Sequence, residues 1–242
     1  MRIWKDFVSL STNFVTGWKA LDVIPNSEGV GMKLDFQKWN SKMFAAGDSS
    51  SIKIWDLNQE MVSQTLHSGS FSLTEMCSDA SMPSFLFCGF SDGTIRAFDV
   101  RLPIAKACVK SFSEHDAYIV NIAKRSNSNL ISGSVDGCIK MWDLRLLDSI
   151  KTIDSIAPSG MSALAIHPKL DILAAASYEQ QIKVFTQDGT VLSTIRYHDG
   201  FLGQRLGPIA SLNFHSNRTM LCAGSTDSII SVYCANRCKG YQ

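Results

Sequence analysis

Gly133-Ser134-Val135-Asp136-Gly137-Cys138-Ile139-Lys140-Met141-Trp142-Asp143 reads as a small-residue strand, a tight turn and a second strand. Asp-Gly between two strand-like runs marks a hairpin, because Gly accepts the positive φ such turns need. In the second run the side chains alternate between two sheet faces. Ile139 and Met141 share one face; Lys140 and Trp142 share the other. Both faces carry apolar mass, so both must be covered.

The same pattern recurs along the chain. It appears in Gly47-Asp48-Ser49-Ser50-Ser51-Ile52-Lys53-Ile54-Trp55-Asp56, where the turn is one residue shorter, and in Gly89-Phe90-Ser91-Asp92-Gly93-Thr94-Ile95-Arg96-Ala97-Phe98-Asp99. It returns in Ala176-Ser177-Tyr178-Glu179-Gln180-Gln181-Ile182-Lys183-Val184-Phe185 and in Gly224-Ser225-Thr226-Asp227-Ser228-Ile229-Ile230-Ser231-Val232-Tyr233. The closing aromatics Trp55, Phe98, Trp142, Phe185 and Tyr233 are separated by 43, 44, 43 and 48 residues. A period of about 40–45 residues with a Trp-Asp-like ending is the signature of a four-stranded propeller blade. Leu164-Ala165-Ile166-His167-Pro168 and Leu212-Asn213-Phe214-His215 read as innermost strands upstream of two of these segments. The predicted class is all-β, with repeat units near 30–56, 73–99, 115–143, 161–185 and 209–233. Residues 1–29 read as the end of a preceding blade, closing at Trp4, plus an insertion around Asn13 to Glu28. About five blades of a seven-bladed ring are expected, truncated at the N-terminus, because an open arc would leave unpaired sheet edges.

Composition excludes several function classes. Of 242 residues, 45% are hydrophobic and 19% charged, with a formal net charge of +1. That balance offers no electrostatic footprint for nucleic acid, and no Lys/Arg run would hold an anionic membrane. The start, Met1-Arg2-Ile3-Trp4-Lys5-Asp6, lacks the apolar core of a signal peptide. No apolar run approaches the roughly 20 residues of a membrane helix. The seven cysteines are odd in number and scattered, which is not a disulfide framework and fits a reducing compartment. In such a compartment the sequon Asn217-Arg218-Thr219 has no glycosylation role.

Motifs with chemical meaning dissolve into the repeat. Gly89-Phe90-Ser91-Asp92-Gly93 matches the nucleophile elbow, which requires a strand-to-helix turn; here the same position recurs as a blade turn. Cys234 and Cys238 would be half a zinc site, but no second closely spaced pair follows to complete four ligands. The five histidines share no ligand spacing, and no phosphate-binding Gly-rich loop is present. No catalytic residue, cofactor or metal is predicted.

The segments resemble the WD-repeat family. In that family a His, Ser, Asp and Trp are linked by hydrogen bonds inside a blade. The resemblance puts His115, Ser132, Asp136 and Trp142 in those places, where buried polar groups must be satisfied. In the fourth unit Glu179 replaces the Asp.

The connection from Thr186 to Pro208 is longer than its counterparts. Its glycines at 200, 203 and 207 permit unusual turns. Phe201 and Arg205 are residue types that anchor interfaces, and with Gln204 they form the candidate partner-binding loop (187–208). Packing of Phe201 onto the blade is the competing reading. Tyr197-His198-Asp199-Gly200-Phe201-Leu202-Gly203-Gln204-Arg205-Leu206-Gly207, followed by Ile209-Ala210-Ser211-Leu212-Asn213-Phe214-His215, resembles the last blades of the raptor family, the regulatory-associated subunits of TOR complex one. Arg2-Ile3-Trp4-Lys5-Asp6-Phe7, the short-turn segment at 49–56 and the segment at 224–233 match in the same order. The resemblance implies a C-terminal propeller of a larger non-catalytic scaffold, cytoplasmic, with recruitment to the lysosomal surface as part of the complex. It implies protein partners: the TOR kinase, other subunits and substrates recruited in nutrient and growth signalling. No nucleic acid, small-molecule substrate or direct membrane insertion is expected. A different WD-repeat adaptor, such as a ubiquitin-ligase substrate receptor, is the alternative. A propeller hydrolase would need an acid or metal cluster that cannot be read.

Overall fold

The structure, a computed structural model, describes residues 2–5, 13–17, 31–37, 39–47, 51–78, 81–125, 129–146, 148–154, 160–196 and 207–235. Among these residues the secondary structure is strand throughout, apart from a 3-10 turn at Ile104–Lys106. No helix of the described residues is long and apolar enough to cross a membrane.

The strands fall into antiparallel sheets in chain order. β1 (Arg2–Lys5) pairs with β2 (Asn13–Gly17). Blade one comprises β3 (Lys33–Gln37), β4 (Lys42–Ala46), β5 (Ser51–Asp56) and β6 (Met61–His67). Blade two comprises β7 (Leu73–Ser78), β8 (Phe85–Phe90), β9 (Ile95–Asp99) and β10 (Cys108–Phe112). Blade three comprises β11 (Ile119–Lys124), β12 (Asn129–Ser134), β13 (Cys138–Asp143) and β14 (Ser149–Asp154). Blade four comprises β15 (Met161–Ile166), β16 (Ile172–Ser177), β17 (Gln181–Thr186) and β18 (Val191–Arg196). Blade five has three described strands, β19 (Ile209–Phe214), β20 (Met220–Ser225) and β21 (Ile230–Cys234). These are WD-repeat propeller blades, as the period predicts.

The predicted units end near the third-strand aromatic, and in each complete sheet the fourth strand of the expected four-stranded blade follows that point. Those strands were hard to see because they are outer strands with few buried positions: β18 has none, and β14 buries only Ile153. The segment read as an insertion from Asn13 onward begins instead as a strand, β2. The long connection after Thr186 likewise contains β18.

Identical irregularities mark the repeat. In blades two to five the register between first and second strands slips near the start, at Leu73/Glu75, Ile119/Asn121, Met161/Ala163 and Ile209/Ser211. A second slip precedes the closing aromatic, at Ile54/Trp55, Met141/Trp142 and Val184/Phe185. Each bulge adds local twist to its strand pair.

The chain divides into two compact units, residues 1–91 with 96–110, and residues 92–95 with 111–242. In the first, Phe44, Ile52 and Ile54 of blade one form one core with Leu73, Leu86 and Phe90 of blade two. In the second, Ile131, Ile139 and Met141 of blade three pack with Leu164, Leu173 and Phe185 of blade four. Ala174, Ala176 and Ile182 of blade four then pack with Ile209, Leu221 and Ala223 of blade five. Each fully buried Leu, Ile or Phe contributes about 1.5–3 kcal/mol.

Close approach of neighbouring sheets explains the small-residue second strands. A Cβ on Gly133 would stand 2.7 Å from Leu164 Cδ2 and 2.9 Å from Met161 Sδ. The motif at 89–93 is a turn between β8 and β9, with Gly93 at φ +81°. It is not a strand-to-helix elbow.

Candidate interaction surface

Blade three holds a buried polar chain. Trp142 Nε1 donates to Ser132 Oγ at 2.8 Å, and Ser132 Oγ lies 2.7 Å from His115 Nε2. An indole N–H can only donate. Ser132 Oγ accepts from the indole, and its bond with His115 Nε2 runs in the direction set by the imidazole tautomer. Ser132 and Trp142 are fully buried and His115 nearly so. Burial pulls the His115 pKa down to about 4, against the upward pull of the Asp136 charge. The imidazole is therefore neutral at pH 7. Its ring also meets the Trp142 ring edge-on, with centroids 5.9 Å apart. Asp136 is not hydrogen-bonded to these three residues: its Oδ1 accepts from Cys138 N at 2.8 Å, closing the β12–β13 turn, and among the described residues His115 Nδ1 has no partner. Three of the four expected residues are thus joined, and the fourth acts on the imidazole through its charge.

Beside this chain, Glu114 ties three elements together. It accepts from Ser149 N at 2.7 Å, Ser149 Oγ at 2.5 Å and Lys140 Nζ at 3.2 Å. Burial opposes ionisation of Glu114, but the bonds from Ser149 and Lys140 overcome it and hold the carboxyl below its ordinary value.

Sequence reasoning missed two features. The first follows the closing aromatic of blades two and three. Asp99 accepts from Arg101 Nη2 at 2.7 Å, and Asp143 accepts from Arg145 Nη2 at 2.6 Å. The Arg101 bonds hold the Asp99 carboxyl below the usual carboxylate range against its burial. The repeated Asp-x-Arg was the available signal. The second is an aromatic pair that no local pattern reveals. Tyr118 precedes β11 and Tyr178 lies in the β16–β17 turn, and their hydroxyls meet at 3.3 Å. That bond, aided by burial, pushes the Tyr118 pKa up to about 12. Val135 N donates to Tyr118 O at 3.1 Å, and Met161 N donates to Val135 O at 2.8 Å. These bonds bring the turns of blades three and four to one end of the sheets.

Phe201, Gln204 and Arg205, the expected partner-binding residues, lie outside the described residues, as does Cys238. Cys234 ends β21, and no disulfide joins the six described cysteines to one another.

Comparison with known proteins gives these blades relatives. A model of the WD domain, G-beta repeat, matches residues 106–143 and 188–234. The chain is 34% identical to the protein raptor homolog of Dictyostelium discoideum over 96% of its own length and 16% of that protein's. It is 31% identical to the target of rapamycin complex 1 subunit mip1 of Schizosaccharomyces pombe, over 96% of this chain and 18% of that one. The crystal structure of Chaetomium thermophilum Raptor superposes with a TM-score of 0.84 at 27% identity, covering 97% of this chain and 22% of the other. The chain therefore spans less than a fifth of the curated relatives named here. The alignment over 96% of the chain and the superposition over 97% of it show a run of WD-repeat propeller blades similar to those of raptor proteins.

Proposed function

We propose that the protein is a non-catalytic scaffold subunit of a TOR complex one, helping to bring substrates to the TOR kinase in nutrient and growth signalling, and working in the cytoplasm. The observation that carries this reading is the 34% identity to a raptor homolog sustained over 96% of the chain. Repeat residues alone are shared by WD-repeat proteins of many kinds; a match of that extent includes the connections between blades. The polar chain His115–Ser132–Trp142 is buried and bonded to itself, which fits a role in holding the blade.

The test is co-purification. Full-length protein containing these blades, tagged and extracted gently, is expected to bring down a TOR kinase. Its absence, with a ubiquitin-ligase subunit in its place, rejects the reading. Within the same proposal the segment holding Phe201, Gln204 and Arg205 is a partner contact. Changing Phe201 and Arg205 to Ala together is expected to weaken partner capture while the melting temperature holds. A large fall in melting temperature, with capture intact at low temperature, shows that they only pack.

A further inference from the structure

One end of blades three to five differs from the other in charge. The turn-and-start end carries the β12–β13, β16–β17 and β20–β21 turns and the approaches to β11 and β15. Among the described residues it holds Glu114, Asp116, Asp136, Asp154, Glu179 and Asp227. The basic side chains there are Lys140, bonded to Glu114, its counterpart Lys183 in blade four, and Arg196 at the end of the outer strand β18. The opposite end carries Lys124, Arg125, Arg145, Lys151, Lys169 and Arg218 together with Asp143, Asp148, Asp171 and Asp188, with Arg125 bonded to Asp171, Arg145 to Asp143 and Lys151 to Asp188.

The acidic end also carries exposed aromatic surface. Tyr118 is 41% and Tyr178 45% exposed. Aromatic rings in water are costly to leave uncovered, and they concentrate at interface anchors. Their positions are built rather than incidental. Tyr118 O is held by Val135 N, the two hydroxyls are in hydrogen-bond contact, and the Tyr178 ring lies against Gly160, where an added Cβ would stand 3.8 Å from Cδ2. Gly160 itself has φ +82°, and its added Cβ would come 2.6 Å from Val135 O, so no other residue fits there without strain. Asp116 lies two residues before Tyr118, Asp136 follows Val135, and Glu179 follows Tyr178. All three carboxylates are exposed.

We propose that this end of blades three and four is a docking surface for a basic peptide segment, with Lys or Arg side chains lying on Tyr118 and Tyr178 between Asp116, Asp136 and Glu179. The chemistry selects that occupant. A cation over a tyrosine face is attracted by the ring quadrupole, and flanking carboxylates add complementary charge. The same carboxylates repel nucleic acid and anionic lipid. The inference does not depend on the partner proposed above.

The test uses the full-length protein and a fluorescein-labelled peptide of repeated Lys-Ala-Arg-Ala, read by anisotropy. Its counterpart with Glu in place of Lys and Arg is the control. The basic peptide is expected to bind, more weakly at high salt, and the acidic one not at all. Tyr118→Ala with Tyr178→Ala is expected to weaken binding about tenfold, the effect of losing a partly desolvated cation–π contact. Tyr118→Phe with Tyr178→Phe keeps the rings and should retain most of the affinity. Asp116→Asn with Glu179→Gln is expected to weaken binding a few-fold and to flatten the salt dependence. Equal binding of both peptides overturns the proposal, as does full affinity in the Ala double variant with its melting temperature preserved. If that variant fails to fold, an Asn/Gln variant with unchanged affinity and salt response overturns it instead. Preferential binding of anionic vesicles over the basic peptide does the same.

Discussion

His115, Ser132 and Trp142 show why a shared fold does not mean a shared interior. Ser132 faces Ile122 across β11 and β12. The register-equivalent residues are Cys88 in blade two, Ala175 in blade four and Ala223 in blade five. Only blade three offers a hydroxyl there, so only there can one side chain bridge an indole N–H and an imidazole nitrogen. Protonating His115 would put a charge in that buried site. Its pKa is about 4 in the folded state and about 6.5 in the unfolded chain. Below pH 6.5 the unfolded chain takes up a proton that the native chain refuses, so stability falls as pH drops from 6.5 to 4 and is flat above that window for this group. The full effect reaches up to about 3 kcal/mol at pH 4. Urea-unfolding midpoints taken across this range are expected to fall in the native protein and to fall less in His115→Gln. An identical slope in the two proteins assigns the acid sensitivity elsewhere. The upper part of this window is the informative one, because the hydrogen bonds on Glu114 and Asp99 hold those carboxyls below their ordinary values and move their contribution to the acid side.

The second-to-third-strand turn is where the repeat element is most demanding. Its left-handed position is Gly93 at φ +81° in blade two and Gly137 at +93° in blade three, but Gln180 at +63° in blade four and Ser228 at +64° in blade five. A non-glycine residue there costs about 1–2 kcal/mol. Gln180→Gly recovers that strain, less about 0.5–1 kcal/mol for the extra freedom of glycine in the unfolded chain. A net gain of about 0.5–1 kcal/mol is expected, seen as a higher urea midpoint with an unchanged slope. A loss of stability would mean the Gln180 side chain makes contacts worth more than the strain. Gly93 has no such latitude. A Cβ there would stand 2.3 Å from His115 O, so Gly93→Ala is strained in φ and in space alike. The Asp-Gly turns were legible because the residue and the conformation agree. Blade four's turn was legible only through its phase in the repeat, since Glu179-Gln180 is no turn signal on its own.

At the scale of the whole molecule, the array leaves apolar surface at blade five. Among the described residues β21 has no strand beyond it, and Ile230 and Val232 are 73% and 56% exposed. Between blades four and five runs an apolar groove of about 610 Å³, lined by Ile172, Val184, Leu192, Phe214 and Tyr233. An unprotected strand edge beside apolar surface drives association. The 242-residue chain expressed alone is therefore expected to self-associate as concentration rises. Ile230→Lys with Val232→Lys should shift it toward monomer, because charge on an edge strand blocks strand addition. Light scattering after size exclusion reads the change, and an unaltered mass distribution would rule this edge out as the cause.

The order of blades, their period and the alternation of their third strands were determined by the sequence alone. Each blade repeats one local solution: a small-residue strand, a turn, and a strand apolar on both faces. Periodicity makes such a solution visible without coordinates. The positions of the fourth strands escaped because outer strands bury little and so carry little pattern. The Asp136 contact, the Glu114 clasp and the Tyr118–Tyr178 pair were decided only in the tertiary structure. The Glu114 clasp and the tyrosine pair join residues 26 to 60 positions apart at 2.5–3.3 Å, and whether Asp136 reaches the imidazole is set by its side-chain direction; hydrogen bonds are short-ranged enough that no spacing along a sequence specifies them.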